Sequence, residues 1–297
     1  MTGEPQLPTH VSHQDKVFWP DEGLTKLDLV RFYDCVFPRL APYVRDRLLA
    51  LERCPDGMRG QCFFQKEEPI GMPPHTPTKR ITHEDRLKVT NYVVGGKRET
   101  QLALANLGCI AVHVWGSRAR SPRKPDWICF DLDPDSGMFA EAVAAALHVR
   151  EVLEALGLFS YPKTSGGRGI HVFVPLRPGP DVDEVRGFAA SLAQRLARIY
   201  PKELTVEGRI AKRRGRVFID TGRNGFGQTV VAPYSVRRRP KAPVSTPLDW
   251  TEVVPSLRPE TYTMTNFSKR IGQQDPWADF FRHRQSIRAA IRAVRAL

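Results

Sequence analysis

WICFDLDPDSGMFAEAVAAALHVREVLEALGLFSYPKTSGGRGIHVFVPL (residues 127–176) carries the alternation that decides the fold. WICFDLD (127–133) reads as a short apolar strand closed by the turn-forming PDSG. FAEAVAAALHVREVLEALG (139–157) has helical spacing and a Gly stop. FSYPKTS (159–165) and IHVFVPL (170–176), joined by SGGRG, form a hairpin. Further on, DVDEVRGFAASLAQRLARIYP (181–201) is an amphipathic helix with acids in its first turn and arginines in its last. RVFIDT (216–221) and TVVAPYSVR (229–237) are strands, and IAVHVW (110–115) is another ahead of the set. From residue 127 the order is therefore β-α-β-β-α-β, the split βαβ pattern also used by RNA-recognition modules. Its usual strand order puts the first strand between the third and the fourth.

The rest of the chain bounds the function class. Its 297 residues hold 45 Lys+Arg against 32 Asp+Glu, a net charge of +13. With 41% hydrophobic and 26% charged residues, disorder, collagen and coiled coil are excluded for the whole chain. No apolar run approaches the roughly 18–20 residues of a membrane span. The start, MTGEPQLPTHVSHQDK, lacks the apolar core of a secretory signal. The five cysteines (Cys35, Cys54, Cys62, Cys109, Cys129) are scattered without a CxxC pair. Neither a disulfide framework nor a structural zinc site is expected, and a reduced cytoplasmic protein follows. The basic excess makes a polyanion the leading partner, nucleic acid before a membrane surface. Thr25 ahead of LDLVRFYDCVF predicts a helix over 26–37, stopped by Pro38. Pro and Gly clusters at 55–60, 69–77, 118–125 and 238–247 read as loops.

Side chains alternate along a strand, so Asp131 and Asp133 share one face and Leu132 the other. In the expected strand order, His171 lies on one neighbouring strand and Asp220 on the other. Three converging carboxylates repel one another, and cations relieve the repulsion. Oxygen ligands suit magnesium or manganese, and two such ions about 3.5–4 Å apart serve in-line phosphoryl transfer. A DxD alone is common, and an Asp closing a strand is often a turn former. The SGGRGIH loop (165–171) adds weight: Gly166, Gly167 and Gly169 allow close backbone approach to phosphate, and Ser165 and Arg168 add donors.

FDLDPD, KTSGGRGIHVFVPL, RRGRVFID and TVVAPYSVR, in this order and spacing, closely resemble the polymerase domain of bacterial ligase D, a branch of the archaeo-eukaryotic primase superfamily. The likeness continues upstream through DKVFWPDEGLTKLDLVRFY, CFFQKEEP and ANLGCIAVHVW, and covers about residues 10–255. It implies an α/β (α+β) primase-polymerase fold with an RRM-like βαββαβ catalytic core and an N-terminal α/β portion packed on it. One domain over 1–297 is expected: an N-terminal portion to about 109, the core over about 110–255, and a C-terminal extension from 256. The implied activity is template-dependent nucleotide addition, ribo or deoxy, to 3′ ends at gaps and double-strand breaks.

Carried over by motif, Asp131, Asp133 and Asp220 resemble the catalytic metal-binding triad, for two manganese or magnesium ions. His113, Ser165, Gly166, Arg168, His171, Arg213 and Arg237 fall where the family binds the NTP or dNTP. Lys16 and Lys26 resemble the grip on a gap's 5′-phosphate. Phe63 and Phe64 resemble a pair that stacks on template bases, with Arg53, Lys66 and Gln228 as further DNA contacts. Adjacent strand residues cannot both enter one core, so at least one of Phe63 and Phe64 is expected outside it. Departures are Arg168 and Gln228, where relatives often have Lys, and the weakly apolar YVVGGKRETQLALANLG (92–108). No ligase or nuclease segment follows, and with an initial Met a stand-alone monomeric polymerase is expected rather than an excised domain. A Ku-like end-binding protein and a separate ligase are the implied partners. The tail DPWADFFRHRQSIRAAIRAVRAL (275–297) reads as a basic amphipathic helix packed on the body. Two alternatives stay open: a catalytically silent end-binding module, and a de novo primase.

Overall fold

The computed structural model describes residues 10–83 and 88–295. In chain order the elements are β1 (Val17–Trp19), β2 (Leu24–Thr25), α1 (Lys26–Val44), β3 (Leu49–Arg53), β4 (Phe63–Gln65), β5 (Thr78–His83), β6 (Lys88–Val93), α2 (Arg98–Asn106), β7 (Cys109–Trp115), β8 (Trp127–Pro134), α3 (Phe139–Ala155), β9 (Tyr161–Thr164), β10 (Ile170–Pro175), α4 (Val182–Ile199), β11 (Leu204–Thr205), α5 (Ile210–Arg213), β12 (Val217–Asp220), β13 (Thr229–Val231), α6 (Phe267–Ile271) and α7 (Arg288–Arg295).

The five-stranded sheet runs β11-β12-β8-β10-β9. Its β8 lies between β10 and β12, both antiparallel to it, as the split βαβ order requires. Period-two alternation divides the two faces. Ile128, Phe130 and Leu132 of β8, with Ile170, Val172, Val174, Val217 and Ile219, pack under α3 and α4. The opposite face is apolar at one end, where Trp127, Cys129 and Phe173 join the larger core. At its other end the same face carries Asp131, Asp133, His171 and Asp220. One register thus sets both a core and a site.

A second sheet, β13-β7-β3-β4, is antiparallel throughout and shares that larger core with α1 and α2. Residues 110–115 and 229–231 are strands as read, but although grouped with the expected core over about 110–255 they do not join the five-stranded sheet. β7 and β13 pair with each other, and β7 with β3, in this second sheet; beyond Val231 the chain leaves the ladder. β5 and β6 form a separate hairpin.

Three further expectations change. Helix α1 does not stop at Pro38; it runs to Val44 through Pro38 and Pro42. Burial of Leu40, Ala41, Tyr43 and Val44 offsets the roughly 3 kcal/mol that an interior proline costs. The tail is helical only over Arg288–Arg295. Ahead of it the chain turns, and Gln285 exchanges backbone bonds with the end of β10 and with Arg177. Trp277, Phe280, Ile287, Ala290 and Ile291 are buried, so the tail does pack on the body. Residues 296 and 297 of the expected helix lie outside the described residues. Finally, Cys54 and Cys62 are joined in a disulfide, while Cys35, Cys109 and Cys129 are free. Arg53 and Phe63 are cross-strand partners, so the flanking cysteines face each other across the mouth of a tight loop. Linear spacing hides that neighbourhood. Among the described residues no helix is long and apolar enough to cross a membrane.

Candidate active site

Asp131 is the centre of the register: it pairs across one side with His171 and across the other with Asp220. Asp133 follows two residues on along the same face. All three carboxylates line one cavity of about 280 Å³ with Ser165, Gly167, Arg168, Gly169, His171, Arg213, Arg223, Arg237 and Arg239. Every acid there has a basic side chain beside it. His171 Nε2 is 3.2 Å from Asp131 Oδ1, and Arg213 Nη1 is 3.1 Å from Asp133 Oδ2. Arg168 Nη2 stands 3.7 Å from Asp133 Oδ1. Arg223 Nε bridges Asp220 Oδ2 at 3.2 Å and Asp131 Oδ2 at 3.6 Å.

This field moves the titrations apart. Burial opposes charge on Asp131, but His171, Arg223 and Lys163 hold its carboxyl below the usual range. Asp220 is pushed up by burial and by Asp131, against Arg223. Burial and nearby Lys163 push His171 down to about 4, against the pull of Asp131, so its imidazole is neutral near pH 7. Among the described residues no three His, Cys, Asp or Glu side chains stand close enough, as they are, to hold a metal ion. The carboxylates nonetheless form an all-oxygen donor set on one face of the sheet, the chemistry that hard divalent ions take.

The glycine-rich loop closes one side of the cavity. Ser165 Oγ accepts from the amides of Gly167 and Gly169, at 3.1 and 3.2 Å, and the Ser165 carbonyl accepts from Arg237 Nη1. Gly166 has φ +66°, and a Cβ there would meet Arg237 Cγ at 2.6 Å. The Nε atoms of Arg213 and Arg237, Nδ1 of His171 and Nε2 of His113 are buried with no hydrogen-bond partner. His113, on β7, is held well below its ordinary pKa by burial and by Arg237 and Arg223. Its ring meets the edge of Phe64 at 5.3 Å.

A larger cavity of about 1140 Å³ adjoins the first, sharing Asp220 and Arg223. Phe64, Lys66 and Gln228 line it, with Phe226, Arg123 and Arg186. Phe63 and Phe64 are both exposed, at 41% and 63%. Arg53 lies over the Phe63 ring and is anchored by the Leu107 carbonyl and Gln65. Lys16 and Lys26 line neither cavity. Lys16 Nζ contacts Asp56 and the Pro55 carbonyl, and Lys26 Nζ contacts Ser12 and the Asn106 carbonyl. Burial, and the charge of Lys16, lower the Lys26 pKa.

Three cations escaped the sequence reading. Arg223 follows Asp220 by one turn, a spacing that could have flagged it. Arg239, in the stretch read there only as a loop, lines the cavity, whereas its neighbour Arg238 pairs with Glu52. Lys163 is fully buried beside His171, its cross-strand partner, and its ammonium donates to Ser245 Oγ.

Comparison with known proteins places these features in a family context. Residues 25–277 match the family described as LigD, primase-polymerase domain. The chain is 31% identical over 298 residues to the multifunctional non-homologous end joining protein LigD of Pseudomonas aeruginosa, covering 95% of this chain and 34% of that protein. It is 32% identical over 275 residues to the bifunctional non-homologous end joining protein LigD of Bacillus subtilis, covering 91% and 44%. The chain thus spans less than half the length of these curated relatives. Among solved structures, the polymerase domain of Mycobacterium tuberculosis ligase D in complex with DNA superposes with a TM-score of 0.85 at 27% identity, covering 93% of this chain and 98% of that one.

Proposed function

The chain belongs to the LigD primase-polymerase domain family, and on that premise we propose that it adds ribo- or deoxyribonucleotides to 3′ ends on a template, at gaps and double-strand breaks. The observation that carries this reading is the cross-strand pairing of Asp131 with Asp220 on the face that holds Asp133, beside a glycine-rich loop and a ring of arginines. Asp131, Asp133 and Asp220 would hold two magnesium or manganese ions, which supply charge neutralisation and an acidified 3′-hydroxyl. The protein's own part is positioning. Ser165 fixes the loop, whose Gly167 and Gly169 line the cavity that would take the triphosphate, while Gly166 packs against Arg237. Arg168, Arg213 and Arg237 meet its negative charge, and the buried unpaired Nε atoms of Arg213 and Arg237 leave donors for phosphate oxygens. Neutral His171 and His113 hydrogen-bond the nucleotide without adding charge.

Phe63 and Phe64 offer exposed rings on which template bases stack, about 1–3 kcal/mol per base and without sequence preference. Arg53, Lys66 and Gln228 support that strand. Lys16 and Lys26 take the 5′-phosphate on the far side of a gap, distant from the chemistry. A Ku-like end-binding protein and a ligase would complete repair of a break. The test is primer extension on gapped DNA with magnesium or manganese, comparing NTPs with dNTPs. Asp131→Ala or Asp220→Ala should lower nucleotide addition at least about a thousandfold, the loss of several kcal/mol of charge stabilisation, with DNA affinity retained. Full activity in either variant overturns the triad. No product from the wild type under any metal leaves a silent end-binding module.

A further inference from the structure

We propose that Cys54 and Cys62 are a reversible thiol–disulfide site through which a dithiol reductant sets the grip of this protein on DNA; the proposal rests on the DNA-binding reading above. The bond closes the loop between β3 and β4. That loop touches both DNA elements of the N-terminal portion. On one side, its Pro55 carbonyl and Asp56 hold Lys16 Nζ, and Met58 N bonds the Phe18 carbonyl beside it. On the other side, Cys62 leads directly into Phe63 and Phe64, and Cys54 follows Arg53, which braces Phe63. A crosslink there fixes the spacing between the phosphate-gripping lysine and the base-stacking rings.

Burial of the two sulfurs is unequal. Cys54 is fully buried, while Cys62 is partly exposed on a loop whose Asp56, Arg59 and Gln61 face solvent. Disulfides that hold a fold together are generally shielded; accessible ones in otherwise reduced proteins are the exchangeable class. Exchange proceeds by attack of a dithiol's thiolate on Cys62 Sγ, with the Cys54 thiolate leaving. The second thiol of the reductant then resolves the mixed disulfide. Two electrons and two protons pass to the protein, giving two cysteine thiols, and the dithiol becomes its own disulfide. A low-molecular-weight disulfide reverses the step. In the reduced form the loop must be ordered at each binding event, which lowers affinity.

The experiment uses the full chain in a Cys35→Ser background, because Cys35 is the free, exposed thiol. Denaturing alkylation and mass measurement should find two reactive thiols, Cys109 and Cys129, after glutathione disulfide treatment and four after dithiothreitol. Affinity for gapped 5′-phosphorylated DNA, by fluorescence anisotropy, should fall about three- to tenfold on reduction. In Cys54→Ser/Cys62→Ser, affinity should sit at the reduced value under both treatments. Four thiols under both treatments, or equal affinity in both redox states with the bond present, overturns the site. Failure of both states to bind gapped DNA instead removes the DNA-binding reading and the switch with it, while the thiol count still reports on the bond.

Discussion

Gly169 shows how tightly a single residue governs this site. A Cβ there would stand 2.2 Å from the Leu132 carbonyl oxygen, an atom of the strand that carries Asp131 and Asp133. No side-chain rotation relieves that clash, so Gly169→Ala should push β8 and β10 apart at the carboxylates. Nucleotide addition should fall about a hundredfold, as misplacement on the order of an ångström does elsewhere. DNA affinity should stay within about twofold, since the stacking rings sit on another sheet. Lys163 offers a test with a definite sign in pH. Burial lowers its pKa to about 7 from 10.5. Between those values the unfolded chain binds a proton that the folded protein does not, so stability rises with pH across that window. Lys163→Met removes this dependence. It should stabilise the fold by about 1–3 kcal/mol at pH 7 and below, with the gain shrinking toward pH 10 in thermal melts. An unchanged difference across that range would place the charge elsewhere. Asp131, Asp133 and the SGGRGIH loop were legible in the sequence because the partners lie within one strand or one turn. Lys163 was not: what marks it is burial against Ser245, 82 residues away.

At the scale of elements, local signals succeed where they agree with burial and mislead where burial overrides them. Thr25 caps α1 as expected, in a reciprocal box with Asp28. Thr25→Ala should therefore cost about 1 kcal/mol, read as a lower denaturant midpoint with unchanged slope. A shift below about 0.3 kcal/mol would mean that packing alone sets the start of α1. The far end of the same helix escaped because Pro38 is a stop signal only in the absence of tertiary contacts, and here the next six residues include four that are buried. The β-α-β-β-α-β order was legible because its periods switch cleanly from two to 3.6. The second sheet was not, since β4, β7 and β13 are joined by long connections and no local pattern says which strands pair. The same blindness separates TVVAPYSVR into three ladder residues and a return strap. It also hides the cysteine pair, whose closeness comes from the β3–β4 register alone.

For the whole molecule, the decisive feature is that Trp127, Cys129 and Phe173 of the five-stranded sheet share a core with Val112 and Leu51 of the second sheet and with α1. The face that carries Asp131, Asp133 and Asp220 is therefore held at a fixed separation from the sheet that carries Phe63 and Phe64. On the proposed function, the net charge of +13 would add a sequence-independent attraction to DNA that falls steeply with salt for every substrate alike. Recognition of the 5′-phosphate must then be read as a ratio of affinities at one salt concentration. Lys26 is almost fully buried, and its pKa is lowered by burial and by Lys16, so two like charges meet there with an incomplete set of counter-ions. A phosphate bound there would relieve that repulsion at little cost, because the Lys16–Asp56 contact it would replace is exposed and worth at most about 1 kcal/mol. Wild-type protein should prefer phosphorylated over unphosphorylated gaps by about tenfold, one charge-assisted contact of roughly 1.5 kcal/mol. Lys16→Ala and Lys26→Ala should each bring the ratio to within about twofold of one. Equal losses on both substrates, with the ratio preserved, would reduce the two lysines to members of the general basic field.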